Sequence, residues 1–231
     1  MFDLSQVPHD TPVDWARWAN NGLARLRARK VDHIEIEEPT QLRFCCKWTA
    51  IYIQAHIRRG LSLLESGLSE LEQGRALVAA LCARALLESV ALLWQFNQKV
   101  LPLLKSRDPE GIDALVFPLA LATRRQASLE EVGEEMRAKN ILTAIDKMSV
   151  EYPNVRPIYD ELSEVCHPNS LGVLMHFSDL QNGTFTFDDG EQMNDPAMHY
   201  LIFCGMLFAI EEGAISLVQQ EIDAILNDPS S

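Results

Sequence analysis

Two charged residues, Arg84 and Glu88, interrupt an otherwise apolar stretch of the sequence. Between Ala76 and Trp94 they are the only charged side chains, and Ser89 is the only other polar one. Because they are four positions apart, they share one face of a helix. The pattern leaves two interpretations open: a buried ion pair that joins helices, or a polar pocket inside a helical bundle.

A second polar stripe lies about 70 residues later, where Tyr159, Ser163 and His167 follow one another at helical spacing. An imidazole at the C-terminal end of a helix gains proton affinity from the helix dipole, so it could act as a general acid or contact a phosphate. It could equally cap the last carbonyl groups of the helix. The candidate catalytic residues are Arg84, Glu88 and His167, and the candidate ligand-binding residues are Tyr159, Ser163 and Asn169.

The sequence predicts neither a metal site nor a cofactor. Glu164 and His167 form one E-x-x-H pair, but the di-iron helical bundles that use this pair need two of them and two further glutamates. The signatures of P-loop, dinucleotide-binding, zinc-protease and hydrolase-elbow proteins do not occur in the sequence. No complete catalytic motif is therefore recognisable.

The composition favours an acidic protein of a reducing compartment. The formal net charge of −13 disfavours binding to nucleic acid or to an anionic membrane, although a local basic cleft stays compatible with it. The five cysteines are odd in number and form no C-x-x-C pair, which favours free thiols over disulfides or zinc. Residues 1–14 lack the features of a signal peptide, so we expect a cytoplasmic protein.

Hydrophobic spacing predicts an all-α, multi-helix bundle with two central apolar helices. One runs over residues 75–99 and the other from Asp195 to about Leu226, with a fully apolar middle from Leu201 to Ile210. The first is long enough to cross a bilayer, but Arg84 and Glu88 at its centre would each cost about 2.5–3.5 kcal/mol there. We therefore predict buried core helices and no membrane span.

A single helical domain over residues 1–231 should carry these elements, with an irregular segment at 1–13 and a tail at 227–231. Thr40 can cap a long helix from Gln41 to about Glu65, and Pro102 should lie in a turn after the first central helix. Between residues 176 and 189, alternating Thr and Phe residues follow an Asn-Gly turn. This pattern predicts one small β-hairpin.

Two short segments carry a resemblance to a known family: RALLE, which begins at Arg84, and YDELSEVCHP, which begins at Tyr159. Over residues 73–172 the chain resembles an uncharacterised family of helical bacterial proteins that is distantly similar to the HEPN (higher eukaryotes and prokaryotes nucleotide-binding) superfamily. The resemblance implies an all-α bundle that dimerises, a role in phage defence or toxin–antitoxin systems, and a shared polar site at Arg84, Glu88 and His167.

The resemblance does not extend to the nuclease motif. HEPN ribonucleases carry an arginine a short distance before the histidine, whereas Arg156, the nearest preceding arginine, lies too far upstream of His167. Two hypotheses follow. The first is a non-enzymatic, HEPN-like homodimer that binds a protein or a small ligand. The alternative is an RNA- or phosphodiester-cleaving enzyme in which His167 moves a proton and Arg84 stabilises the developing charge.

Overall fold

Long helices dominate a computed structural model of the protein, which describes residues 1–228 apart from the side chain of Val132. Within this range there are eight α-helices and one two-stranded sheet. The helices are α1 (Val13–Ala28), α2 (Gln41–Glu72), α3 (Ala76–Lys105), α4 (Pro109–Ala120), α5 (Gln126–Val132), α6 (Ile141–Glu151), α7 (Val155–Cys166) and α8 (Asn194–Leu226).

The two apolar helices lie at the centre, as predicted. Helix α3 makes its most extensive contacts with α8 and then with α2, while α1 packs along α8 and α6 and α7 pack on α3. Phe96 of α3 and Phe208 of α8 are among the largest fully buried side chains. The all-α bundle and the central position of these helices are thus confirmed, because helices that are apolar on every side must be covered on every side.

Helix boundaries follow the sequence signals at several points and depart from them at others; α2, for example, runs to Glu72 rather than ending at about Glu65. Thr40 caps α2 as predicted, since its hydroxyl accepts a hydrogen bond from the Arg43 backbone N–H at 3.4 Å. The prediction that Pro102 lies in a turn was wrong, because α3 continues through it to Lys105. Pro102 and Gln98 are both exposed, so water can satisfy the Gln98 carbonyl that the proline leaves without a donor.

The predicted β-hairpin is present. Strands β1 (Ser178–Gln181) and β2 (Thr184–Phe187) pair antiparallel, with Gln181 opposite Thr184. Asn182 and Gly183 connect them with φ values of 52° and 79°, the backbone geometry that favours an Asn-Gly turn. Before the hairpin, residues Ser170–Met175 form a π-helical segment that the sequence did not predict.

The two ends of the chain differ in how they are held. The irregular N-terminal segment packs on α1, since Phe2 is buried and its backbone N–H and C=O both bond to the side chain of Asn20. Helix α8 ends at Leu226. Residues 229–231 of the predicted C-terminal tail lie outside the described residues.

Two helical segments are long and apolar enough to cross a membrane by length and composition: Ala76–Lys105 and Glu191–Leu226. In the fold, 56% and 72% of their most apolar windows are buried. Core helices of soluble proteins pass the same test, so the segments are weak evidence for a membrane location.

Candidate functional site

Three of the predicted site residues meet where α3 packs against α7. The Tyr159 hydroxyl donates a hydrogen bond to Oε1 of Glu88 at 3.2 Å. The Arg84 Nε lies 3.5 Å from the same oxygen, and the guanidinium carbon lies 5.7 Å from the centre of the Tyr159 ring. We call Arg84, Glu88 and Tyr159 the α3–α7 cluster.

The α3–α7 cluster balances its own charge. Hydrogen bonding to Tyr159 and the charge of Glu88 raise the pKa of Arg84, while burial lowers it. The side chains of Arg84 and Glu88 are 27% and 30% exposed, and Tyr159 is almost fully buried. The positive charge of Arg84 is therefore already paired with the Glu88 carboxylate and in a cation–π contact with the Tyr159 ring. This is the arrangement expected of a structural ion pair.

Cys166 lies close to this cluster and was not among the predicted site residues. Burial raises the pKa of its thiol to about 11; Glu88 and Cys82 also raise it, and Arg84 lowers it. The thiol is thus protonated at neutral pH and is a poor nucleophile. Its position seven residues after Tyr159, on the same face of α7, is the signal that could have identified it.

His167 does not join Arg84 and Glu88. It is the exposed residue that follows α7, and its backbone N–H donates to the Ser163 carbonyl at 3.0 Å. Its imidazole makes no hydrogen bond or ion pair with any residue in the range 1–228. The proton-transferring group and the charge-stabilising group of the enzyme hypothesis are therefore not held together.

Ser163 and Asn169 have different surroundings. The Ser163 hydroxyl is buried and has no hydrogen-bond partner among the described residues. Asn169 caps the π-helical segment, because its Oδ1 accepts from the Gly172 backbone at 2.9 Å and its Nδ2 donates to Glu164. Glu164 is thus engaged with Asn169 rather than with His167. Residues 1–228 contain no group of three metal-ligating side chains.

The arginines at the C-terminal end of α1 are also engaged with carboxylates. Arg25 and Arg29 both pair with Glu212 of α8, at 2.7 Å each, and Arg27 pairs with Glu65 of α2 at 3.0 Å. Although burial raises it, the hydrogen bonds from the two arginines bring the pKa of Glu212 below its ordinary value. These arginines join helices and do not form an open basic surface.

A more open cleft lies elsewhere, between α2, α8 and the segment that joins α1 to α2. Its volume is about 640 Å³. The floor is apolar and comes from two turns of α2 and two of α8: Ile53, Ile57, Ile215 and Ile222. We call this the α2–α8 cleft.

Three polar side chains around the α2–α8 cleft already have partners within the chain. Arg29 pairs with Glu212 and Lys47 with Glu38. Gln54 holds the connecting segment in place, since it donates to the Arg29 carbonyl at 2.8 Å and accepts from the Val31 backbone at 3.1 Å. The carboxylates of Glu35 and Asp223 also line the cleft and form no ion pair within the described residues. A cleft with an apolar floor and this rim suits a ligand that is mainly apolar and carries no negative charge.

Comparison with protein-family models, with curated proteins and with solved structures finds no match for this chain. The resemblance to HEPN-like proteins, and the role in phage defence or toxin–antitoxin systems that it implies, therefore stay predictions.

Proposed function

We propose that this protein is a non-enzymatic, HEPN-like helical bundle that acts in the cytoplasm as a homodimer and binds a small apolar ligand in the α2–α8 cleft. The observation that carries the proposal is the cleft itself. Its 640 Å³ falls in the range of small-molecule sites, about 300–1,000 Å³. By contrast, the α3–α7 cluster has paired charges, a protonated neighbouring thiol and no contact with His167.

The cytoplasmic location is supported by the cysteines. All five are free, and Cys45, Cys46 and Cys204 are buried in the core. Buried free thiols are typical of proteins that fold in a reducing compartment.

Ligand binding is tested with a neutral fluorescent probe, N-phenyl-1-naphthylamine, whose emission rises in apolar surroundings. The wild-type protein should enhance its fluorescence at micromolar concentration. Ala50→Trp, which places an indole in the cleft, should weaken binding at least about tenfold, the equivalent of about 1.4 kcal/mol.

Ala55→Trp is the matched control, because Ala55 lies on the same helix, is exposed and does not line the cleft. Ala28→Trp, at an exposed lining position, gives a second way to fill the cleft if Ala50→Trp fails to fold. No enhancement with the wild type, or equal weakening by Ala50→Trp and Ala55→Trp, would contradict the proposal.

The homodimer is supported by an exposed apolar patch on the π-helical segment and the hairpin. The exposed fractions reach 52% at Met175 and 73% at Phe187. The patch comprises Leu171, Val173, Leu174, Met175, Leu180, Phe185 and Phe187. An isolated two-stranded hairpin is only marginally stable in water, so a second copy that covers this patch would stabilise it.

Sedimentation velocity at micromolar concentrations tests the dimer. Wild type should sediment as a dimer, and Phe187→Asp should shift it to monomer. Val150→Asp is the control, since Val150 is equally apolar and 86% exposed but lies on α6, outside the patch. A single monomeric wild-type species, or dissociation by Val150→Asp to the same degree, would refute this part of the proposal.

A further inference from the structure

A second cavity, of about 370 Å³, opens where α2, α3, α4 and the start of α6 meet. Its apolar lining includes Tyr52, Leu92 and Leu119, and its charged lining consists of Lys99, Lys139 and Lys147. We call it the lysine pocket. No acidic side chain lines it.

Helical spacing brings these side chains to one place. On α3, Leu92, Gln95 and Lys99 are three and four positions apart and so share a face. On α6, Thr143 and Lys147 share a face in the same way. The packing of α6 on α3 then turns the two faces toward each other across the cavity.

The lysine pocket concentrates positive charge that no carboxylate of residues 1–228 pairs with. It holds three of the six lysines of a protein with 33 acidic residues. Across residues 1–228, none of the three has a carboxylate within ion-pair distance. Burial and the two neighbouring lysines lower the pKa of Lys99. Three like charges repel one another, so an anion bound between them would be favoured.

The start of α6 adds to this positive field. Asn140 caps the helix through its Oδ1, which accepts from the Leu142 backbone at 3.1 Å, and both Asn140 and Thr143 line the cavity. The first turn of an 11-residue helix therefore borders the same space, and helix N-termini favour anions.

We propose that the lysine pocket binds a small organic phosphate, with the phosphate between Lys99, Lys139 and Lys147 and an apolar body against Tyr52, Leu92 and Leu119. A phosphate monoester carries roughly 1.5–2 negative charges at neutral pH and three acceptor oxygens, which match three ammonium groups better than a carboxylate does. The net charge of −13 opposes the approach of a large polyanion, so the ligand is a small molecule. The inference does not depend on the α2–α8 cleft.

Phenyl phosphate is the probe, with binding measured by isothermal titration calorimetry in a low-salt buffer. It should bind with a Kd below about 1 mM, and the affinity should fall as salt is added. Lys147→Gln and Lys139→Gln should each weaken binding about tenfold, as expected for the loss of a hydrogen bond from a charged group.

Lys105→Gln is the matched control. It makes the same change in net charge as the pocket variants, but at an exposed lysine of α3 that lies outside the pocket. It should leave the affinity unchanged. All these lysines are exposed, so the variants should not melt at a lower temperature than the wild type. Ala50→Trp, in the other cleft, should also leave phenyl phosphate binding intact.

Three results would overturn the inference. The first is no binding of phenyl phosphate at millimolar concentration. The second is equal weakening by Lys105→Gln and Lys147→Gln, which would indicate attraction by general charge. The third is that inorganic phosphate or benzoate binds as tightly as phenyl phosphate. Equal binding of inorganic phosphate would show that the apolar body contributes nothing, and equal binding of benzoate would show that the pocket does not require a phosphate group.

Discussion

The α3–α7 cluster and the lysine pocket both place cations of α3 beside neighbouring helices, with opposite outcomes. Arg84 meets a carboxylate and a tyrosine within the chain. Lys99, fifteen residues further along the same helix, has no carboxylate within ion-pair distance, and the charged side chains that line its cavity are Lys139 and Lys147. In the first arrangement the two charges pair within α3, and Tyr159 connects them to α7. The second leaves its electrostatic energy available to an anion from solution, which is what distinguishes a binding site from a structural ion pair.

Glu211 extends the comparison to a buried charge with no cation beside it, and gives the largest expected effect. Burial raises its pKa to about 7; the Asn97 hydrogen bond, at 2.9 Å, lowers it and Glu151 raises it. Because the folded state binds this proton up to about pH 7 and the unfolded state only up to about 4.5, stability from this group is lost as pH rises through that window.

Glu211→Gln should therefore stabilise the protein at pH 8 by about 2–3 kcal/mol and change little at pH 4. Urea unfolding at the two pH values measures this. The next residue offers the control. Because Glu212 pairs with Arg25 and Arg29, Glu212→Gln should destabilise the protein at pH 8. Equal changes in the free energy of unfolding for Glu211→Gln and Glu212→Gln at pH 8 would contradict the assignment of Glu211 as an unpaired charge and Glu212 as a paired one.

Glu88→Gln tests the neutralised side of the comparison. It removes the counter-charge of Arg84 and weakens the acceptor of the Tyr159 hydroxyl, so the free energy of unfolding should fall by about 1–2 kcal/mol, less than for a fully buried pair. In a double-mutant cycle with Arg84→Gln, a coupling of about 0.5 kcal/mol or more is expected. Additive effects would show that the two charges do not interact.

Tyr159→Phe should cost about 1 kcal/mol, because it removes one hydrogen bond to Glu88 but keeps the ring against Arg84. The same substitution in the Glu88→Gln background should cost less, since the carboxylate acceptor is already gone. An unchanged cost in that background would assign the effect of the hydroxyl to another partner.

Lys99→Gln should raise stability by a few tenths of a kcal/mol, as it relieves repulsion from Lys139 and Lys147. Lys105→Gln, on the same helix, should not. Added salt should stabilise the wild type slightly more than Lys99→Gln, because screening weakens the same repulsion. A loss of stability in Lys99→Gln would indicate that the lysine has a stabilising partner.

His167→Ala should give the smallest effect, within about 0.5 kcal/mol of wild type, because the imidazole is exposed and has no partner in the described chain. Purified protein should not cleave RNA in a His167-dependent way. Cleavage that disappears in a folded His167→Ala variant would instead support the enzyme hypothesis.

Much of the bundle was predictable because local chemistry decides it. The apolar helix around Arg84, the Thr40 cap and the turn at Asn182 all appear as the sequence indicates. The continuation of α3 through Pro102 and the π-helical segment were not predictable. Both depend on which carbonyl groups face solvent or close neighbours: a Cβ at Gly172 would lie 2.0 Å from the His167 carbonyl oxygen.

The candidate site was predicted only in part. Arg84 and Glu88 were recognisable as a pair because one helix carries both, and Tyr159 was recognisable as part of a stripe. Their meeting, and the separate position of His167, depend on how α7 rotates against α3. The lysine pocket left even less signal, since Lys99 and Lys147 are far apart in the chain and each looks like an ordinary surface lysine.

The sequence by itself determined the all-α class, the two central helices and the hairpin, because hydrophobic period, caps and turn residues act over a few neighbouring positions. Only the tertiary structure decided which charges are neutralised and which are left open. Electrostatic energy depends on distances between side chains from different helices and on their exposure to water, and neither quantity is present in the order of the residues.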